Sequence, residues 1–487
     1  MEQKQIVYIA SECEPFFSTG NLGPVVNSIS NRINKLSKGE FDVSVILPLY
    51  SHINREYRNK LIYVSQMVVR LSWRNQYCGI YKYEKQGVTF YFLDNEYYFK
   101  RHNLYGYFDD AERFAFLSKA AIDMIVYLNM KPSIIHVHDH LTGLVPVYLR
   151  TLYEGVPNFS NTKTVFTIHS VDYQGVYGLD DDLICDVYGL PLSAKPILEY
   201  NKNSNVMKAA METSDFVTTV SKTFAKEILT KEHANGLEFE AMRINDAHKL
   251  IGILHGIDKN FYNPAKDKAL FEKFDRHDAS NRSVNKEELQ KMLSLPIDKD
   301  IPLIGMVGEL NHSKGLSDLC AIMDSLMKEK VQIVILGTGD SYYEELLTNY
   351  STTYRAKVRN IVAYNEDLAR KIFAASDMYL VPSINEPCGL NHMIASRYGA
   401  VPIVRSVGGL KDTVKDISKG GNGYIFSGDK TKLLEVIKKA LDDYKNKELW
   451  EQYQQVVMNM DFGWTKSSTD YLKLYRNLLN VNSKEEE

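Results

Sequence analysis

An α/β architecture of two Rossmann-like, doubly wound domains with a cleft between them is what this sequence predicts, on three observations. Short runs of buried-type residues alternate with amphipathic helical stretches, and they do so in two successive sets, the pattern of parallel βαβ units. Several of the runs end in polar or glycine-bearing loops just before a helix, as strands do where an α/β sheet holds a ligand. Between the sets lies 260–301, polar, charged and poor in long apolar periods, which predicts an interdomain connection. The expected boundaries are 1–259 for the first domain, 260–301 for the connection and 302–461 for the second domain, with a last amphipathic helix within 462–481.

The bulk numbers narrow the function class. A chain of 487 residues is long enough for two or three cores. A net charge of −3 offers no field that would recruit nucleic acid or an anionic membrane. The five cysteines are scattered, and none lies in a CxxC pair, which argues against a disulfide or zinc framework and fits a reducing compartment. No run of 18 apolar residues occurs, and the opening apolar run is five residues long, too short for a signal-peptide core. A cytoplasmic protein is expected, with neither nucleic acid nor membrane as partner.

In the first set, 6–10 is a strand, followed by the loop Ser18-Thr19-Gly20-Asn21-Leu22-Gly23-Pro24. Val26, Ile29, Ile33 and Leu36 then recur at helical spacing. Pro24 suits a first helical turn, where its missing N–H is not needed. The loop has a phosphate-cradling shape but is neither a Walker sequence nor GxGxxG. Residues 41–49 and 88–94 are further strands, and 111–129 is a long amphipathic helix. Residues 134–140 read IIHVHDH, a strand with polar residues massed at its carboxyl end. Two histidines and an aspartate invite a metal reading, but no fourth ligand is near in sequence. Residues 164–169 form the next strand and end on His169.

The second set runs through strands at 302–310, 331–336, 360–364, 378–383 and 401–405. Its most informative stretch is 384–414. Glu386, fixed by Pro387, stands where a strand gives way to a helix, and a second strand runs into Gly408-Gly409. An acid at a helix start beside a glycine pair favours a phosphate or nucleotide-sugar site. Cys388 has no base beside it in sequence, so it is not read as a nucleophile.

The motifs EPCGL (386–390) and RYGxxPxVRxxGGLxDTV (397–414) resemble those of the bacterial glycogen synthases and plant starch synthases. The resemblance extends, in order and without large gaps, through DNEYYF (94–99), HDH (138–140), TIHSVDYQG (167–175), FVTTVS (216–221), ANGLE (234–238), GILHGID (252–258) and SKG (313–315). It implies the GT-B fold, with 1–259 on the acceptor side, 302–461 binding the nucleotide sugar, and the 462–481 helix crossing back to the first domain. It also implies a retaining hexosyltransferase that moves glucose from ADP-glucose or UDP-glucose to the non-reducing end of an α-1,4-glucan, without cofactor or metal. On the same resemblance Lys314 binds phosphate and Glu386 holds glucose hydroxyls. Cys388, Gly389 and Leu390 supply backbone contacts, Gly408 and Gly409 let backbone approach the donor, and Asp139 and His169 contact the transferred sugar.

This chain departs from the family in the phosphate-binding motifs. In the loop that the family writes KTGGLGDV, around Gly20, Ser18 replaces the lysine, Asn21 a glycine and Pro24 the aspartate. Glu309 occupies the arginine position of the family's SRL, and His255 stands where asparagine is usual. A carboxylate about 5 Å from one phosphate charge is repelled by roughly 3 kcal/mol at an effective dielectric near 20. Two alternatives to an active synthase stay open: an impaired glucan-binding paralogue acting as scaffold or regulator, and a GT-B transferase with another donor or acceptor.

Overall fold

The computed structural model describes residues 3–480. The chain divides into two compact units, Met1–His255 with Trp464–Glu487, and Gly256–Gly463. The tail 482–487, expected to be disordered, lies outside the described residues.

The first unit contains strands β1 (Lys4–Ile9), β2 (Phe41–Pro48), β3 (Ile62–Leu71), β4 (Arg74–Lys85), β5 (Val88–Asp94), β6 (Pro132–His138) and β7 (Lys163–Ile168). After them come β8 (Val176–Gly178), β9 (Glu199–Tyr200), β10 (Asn203–Asn205), β11 (Phe216–Thr219) and β12 (Leu250–Gly252). Nine of them form one sheet, in the order β12-β11-β7-β6-β1-β2-β5-β4-β3. From β12 to β5 the pairing is parallel. The central strand β1 is buried from Ile6 to Ile9, as a strand covered by helices on both faces must be. The chain leaves β1 toward β2 and later returns to β6 on its other side, so the strand order reverses between β1 and β6. The antiparallel ribbon β3–β4 carries mixed exposure and gave no clear sequence signal.

The second unit contains β13 (Leu303–Val307), β14 (Gln332–Gly337), β15 (Val358–Val362), β16 (Met378–Val381), β17 (Val401–Arg405) and β18 (Tyr424–Phe426). They form a parallel sheet in the order β15-β14-β13-β16-β17-β18, whose reversal lies between β13 and β16. Each sheet therefore has one switch point, where loops depart to opposite faces and leave a crevice beyond the carboxyl ends.

Segment 260–301, read as a connection, falls within the second unit and contains the helix Arg282–Met292. Several of its polar residues, Asp267, Arg282, Asn285, Lys286 and Gln290, are buried. Arg282 donates to the carbonyls of Tyr398 and Ser376, and Lys286 Nζ lies 2.6 Å from Asp377 Oδ2 and 3.0 Å from the Tyr444 hydroxyl. The final helix Thr465–Leu478 is counted with the first unit. There Tyr475 meets the Tyr8 hydroxyl at 3.0 Å, and Arg476 grips Glu40 at 2.7 Å.

The Lys286–Asp377 pair is nearly fully buried on both sides, so removing one partner strands a charge in a low-dielectric site. Lys286→Ala is expected to destabilise the second unit by about 3 kcal/mol or more, seen as a lowered denaturant midpoint. An unchanged midpoint would show that Asp377 protonates or hydrates at little cost.

Candidate active site

In the first unit the polar residues gather at the switch point. The loop after β1 is pinned by Glu12, which is 3 % exposed. Glu12 accepts from the Thr19 N–H at 2.6 Å, from the Thr19 hydroxyl at 2.7 Å and from the Tyr105 hydroxyl at 2.5 Å. Ser18 donates to the Gly20 carbonyl at 2.9 Å. Gly20 is exposed, and a Cβ there would meet nothing. At Gly23 a Cβ would lie 2.7 Å from the Ser18 Cβ, so that glycine lets the loop fold back on the helix start. Pro24 sits in the first turn of the helix Leu22–Leu36.

At the end of β6, Asp139 has φ +53°, a conformation costly for a residue with a side chain. Two contacts hold it there. Its N–H donates to the Thr167 carbonyl at 3.0 Å, and its Oδ1 accepts from the His169 N–H at 2.8 Å. These bonds bring the ends of β6 and β7 together, and with them Asp139 and His169. Desolvation pushes the Asp139 carboxyl up to about 7, against the lowering effect of the His169 and Ser170 N–H groups.

Beneath this pair lies a stack of histidines. His136 and His138 stack with ring centroids 4.4 Å apart, and His138 Nδ1 is 3.1 Å from His169 Nε2. His136 is held by the Tyr475 hydroxyl at 2.7 Å and the Thr167 hydroxyl at 2.6 Å. His255 packs on the His169 ring at 5.3 Å and on Trp464 at 5.2 Å. Its Nε2 lies 3.1 Å from the Tyr471 hydroxyl. Burial holds every member neutral: His136 and His169 are pulled down to about 3, and His138 and His255 well below the ordinary value. The bonded ring nitrogens meet hydroxyls, or in the His138–His169 pair each other. Among the described residues no group of three or more His, Cys, Asp or Glu is placed to hold a metal ion. Next to the stack is a hollow of about 420 Å³ lined by His140, Asp172, Tyr173, Gln174, Tyr177 and Asn235. Gly175, at φ +66°, shapes it: a Cβ there would come 3.1 Å from the His140 ring.

In the second unit Lys314 ends the turn His312–Lys314, whose N-cap Asn311 side chain accepts from the Lys314 N–H. Gly315 follows at φ +73°, and a Cβ there would lie 2.1 Å from the Pro382 carbonyl oxygen. Only glycine permits that approach, which brings the loops after β13 and β16 together. Across the junction Lys314 Nζ meets Glu386 Oε2 at 2.9 Å, and the Ser383 hydroxyl donates to the same oxygen at 2.8 Å. Gly408 and Gly409 make a second close approach. A Cβ on either would sit 2.0 Å from the Glu386 carbonyl oxygen or 1.9 Å from that of Cys388. The room these glycines provide is therefore taken by the 386–388 turn. Gly389 has φ +76°, while Cys388 and Leu390 are buried at 9 % and 7 % exposure. Glu309 is exposed and accepts from the Asn311 amide at 3.0 Å; its neighbour Lys314 is turned to Glu386.

The structure thus brings Asp139 to His169, Lys314 and Ser383 to Glu386, and Gly408 and Gly409 to the 386–388 turn. Sequence reasoning missed Glu12, Tyr105 and Ser383. The signal for Glu12 was an acid just past the end of β1, the same signal used for Glu386.

Two Rossmann-like units, each with its polar residues at a switch point, define a glycosyltransferase of the GT-B class, and the comparisons specify which. Residues 5–240 match the starch synthase catalytic domain family, and 288–456 match the glycosyl transferases group 1 family. The glycogen synthase of Anoxybacillus flavithermus is 39 % identical over 98 % of both chains. That of Caldicellulosiruptor bescii is 41 % identical over 98 % of this chain and 100 % of its own. Among solved structures, the catalytic domain of starch synthase IV from Arabidopsis thaliana, bound to ADP and acarbose, superposes with a TM-score of 0.89 at 30 % identity, covering 98 % of this chain and all of its own. The chain belongs to the family of glycogen and starch synthases.

The histidine stack sets the acid response. An unfolded histidine takes its proton near 6.5, whereas folded His136 and His169 do so near 3 and His140 near 4. Below pH 6.5 the unfolded chain therefore binds more protons, and stability falls as pH falls. Asp139, raised to about 7, acts in the opposite sense but is one group against several. The melting temperature should drop steadily from pH 6.5 toward 4; a flat or rising profile would mean that the stack is already charged or hydrated.

Proposed function

We propose that this protein elongates an α-1,4-glucan by transferring glucose from ADP-glucose to the 4-hydroxyl at the non-reducing end, with retained configuration. The observation that carries this reading is the Lys314–Glu386–Ser383 constellation at the second switch point, in a chain whose likeness to glycogen synthases spans 98 % of its length. A nucleoside diphosphate leaving group needs positive charge and N–H donors where its charge develops. Lys314 supplies the charge. Its ammonium has three donors, so it can keep Glu386 Oε2 and still bind a phosphate oxygen. Glu386 Oε1 is engaged by neither Lys314 nor Ser383 and accepts from glucose hydroxyls. Asp139 and His169 contact the transferred sugar, and the adjoining hollow beside His140, with Tyr173 and Tyr177 in its wall, takes the acceptor glucan. The starch synthase IV structure, solved with ADP and acarbose, supports ADP-glucose over UDP-glucose as donor.

Incorporation of labelled glucose into glycogen from each nucleotide sugar tests this directly. Transfer from ADP-glucose is expected; glucan binding without transfer from either donor would leave the scaffold reading instead. Glu386→Gln keeps the shape but weakens the grip on the sugar hydroxyls, so kcat should fall by about a hundredfold or more with an unchanged melting temperature. Turnover at the parent rate would remove Glu386 from the site.

Glu309 bears on how strongly the donor binds. Exposed and bonded to Asn311, it acts through a water-like dielectric, where the repulsion shrinks to about 1 kcal/mol at 5 Å. Glu309→Arg replaces that repulsion by an attraction, so ADP-glucose should bind about tenfold tighter at low salt, and less so as salt rises. An unchanged dissociation constant in calorimetry would show that Glu309 does not limit the site.

A further inference from the structure

We infer that His138 is a positioning residue that locks His169 in the tautomer with its proton on Nδ1, so that His169 offers an N–H donor, and no lone pair, to the sugar. This rests on the proposed contact between His169 and the transferred glucose, and it names what that contact is.

The geometry leaves few alternatives. His138 Nδ1 and His169 Nε2 face each other at 3.1 Å, so one must carry a proton and the other a lone pair. His138 is 1 % exposed, and its other nitrogen, Nε2, is buried with no hydrogen-bond partner. If the His138 proton sat on Nε2, it would be an orphaned buried N–H, which folded proteins avoid more strictly than an idle acceptor. The proton therefore sits on Nδ1 and donates to His169 Nε2. A doubly protonated His138 would satisfy the same bond, but the ring stacks on His136 at 4.4 Å and burial strongly disfavours its charged form.

With Nε2 committed as acceptor, a neutral His169 must carry its own proton on Nδ1. His169 is partly exposed, and Nδ1 is the nitrogen left for a ligand. The rest of the residue is held still. Its N–H is tied to Asp139 Oδ1 at 2.8 Å, and the His255 ring packs against it at 5.3 Å. His169 thus presents a fixed, uncharged donor aimed at an oxygen acceptor, which suits a glucose hydroxyl oxygen. A histidine free to adopt either tautomer would present this donor only part of the time.

The tautomer can be read without turnover. In the protein labelled with ¹⁵N-histidine, long-range ¹H–¹⁵N correlation spectra distinguish protonated from bare ring nitrogens, with the His169 signals assigned by their loss in His169→Gln. The expected result is a protonated Nδ1 and a bare Nε2. A protonated Nε2 on His169 in the wild-type protein overturns the inference without any variant of His138. His138→Phe keeps an aromatic ring but removes the donor. Its His169 signals should shift toward the Nε2–H form, and kcat should fall about tenfold or more, in the range seen for lost outer-sphere orienting partners, with KM for ADP-glucose changed much less. His138→Asn, whose amide can donate from nearly the same place, should restore the Nδ1–H tautomer and most of kcat. Equal losses in both variants with an unaltered His169 tautomer would reduce His138 to a packing residue and overturn the inference. If the wild-type protein transfers no glucose, the proposed function fails while the tautomer is still measured; if transfer is intact and Nε2 carries the proton, this inference fails alone.

Discussion

Everything at the candidate site depends on one topological constraint. A parallel sheet whose strand order reverses must send the loops of two neighbouring strands to opposite faces, which leaves backbone groups uncovered at their carboxyl ends. Here that happens between β1 and β6 in one unit and between β13 and β16 in the other. Glu12 and Ser18 follow β1, and Asp139 follows β6; Lys314 follows β13, and Glu386 follows β16. These residues are far apart in sequence and share only their position relative to the reversal. The Lys314–Glu386 contact at 2.9 Å is the point where two such diverging loops are tied together again.

That tie requires close backbone packing. Gly315 presses on the Pro382 carbonyl, and Gly408 and Gly409 press on the 386–388 turn, at distances that no side-chain carbon could tolerate. The glycines thus act through the backbone: they fix the turn that carries Glu386, and the turn fixes the carboxylate. In the first unit the same task falls to hydrogen bonds. Asp139 is held in a strained conformation by bonds to the Thr167 carbonyl and the His169 N–H, and the order of that contact is set by the register of β6 against β7.

Which features were legible in the sequence follows from the range of the contacts that create them. Strand ends, the helix starts and the acid before a glycine are local patterns, so the alternating units and Glu386 could be read directly, whereas Lys314 is singled out only by the resemblance of SKG (313–315) to the family motif. Glu12 is pinned by Tyr105, 93 residues away, and His255 meets Tyr471 across 216 residues. No window of sequence contains such pairs. The reading of 260–301 as a connection rests on composition. Composition treats polar residues as surface, but Arg282, Asn285, Lys286 and Gln290 are buried and their polar groups find partners within the second unit. Buried polarity that is fully bonded looks like a linker until the partners are known. The motif resemblance implies that Gly408 and Gly409 let backbone approach the donor; the structure adds that both also pack against the 386–388 turn.

The departures from the family's phosphate motifs change how charge is distributed over the site. Ser18 brings no cation to the first loop, and the rings of His136, His138, His169 and His255 are held neutral by burial. Asp139, raised to about 7, is itself only partly ionised near neutral pH. The first unit therefore presents hydrogen-bonding groups rather than charge, which is what the proposed contact with a neutral sugar requires. In the proposed function the positive charge for a diphosphate rests on Lys314, which is bonded to the carboxylate proposed to hold the glucose. On that proposal, binding of the diphosphate and placement of the sugar would be coupled through one ammonium group: a phosphate oxygen that draws Lys314 away would loosen Glu386, and one that shares it would tighten both. The hydroxyl of Ser383, bonded to the same Glu386 oxygen at 2.8 Å, gives the carboxylate a second partner, so its placement does not depend on Lys314 alone.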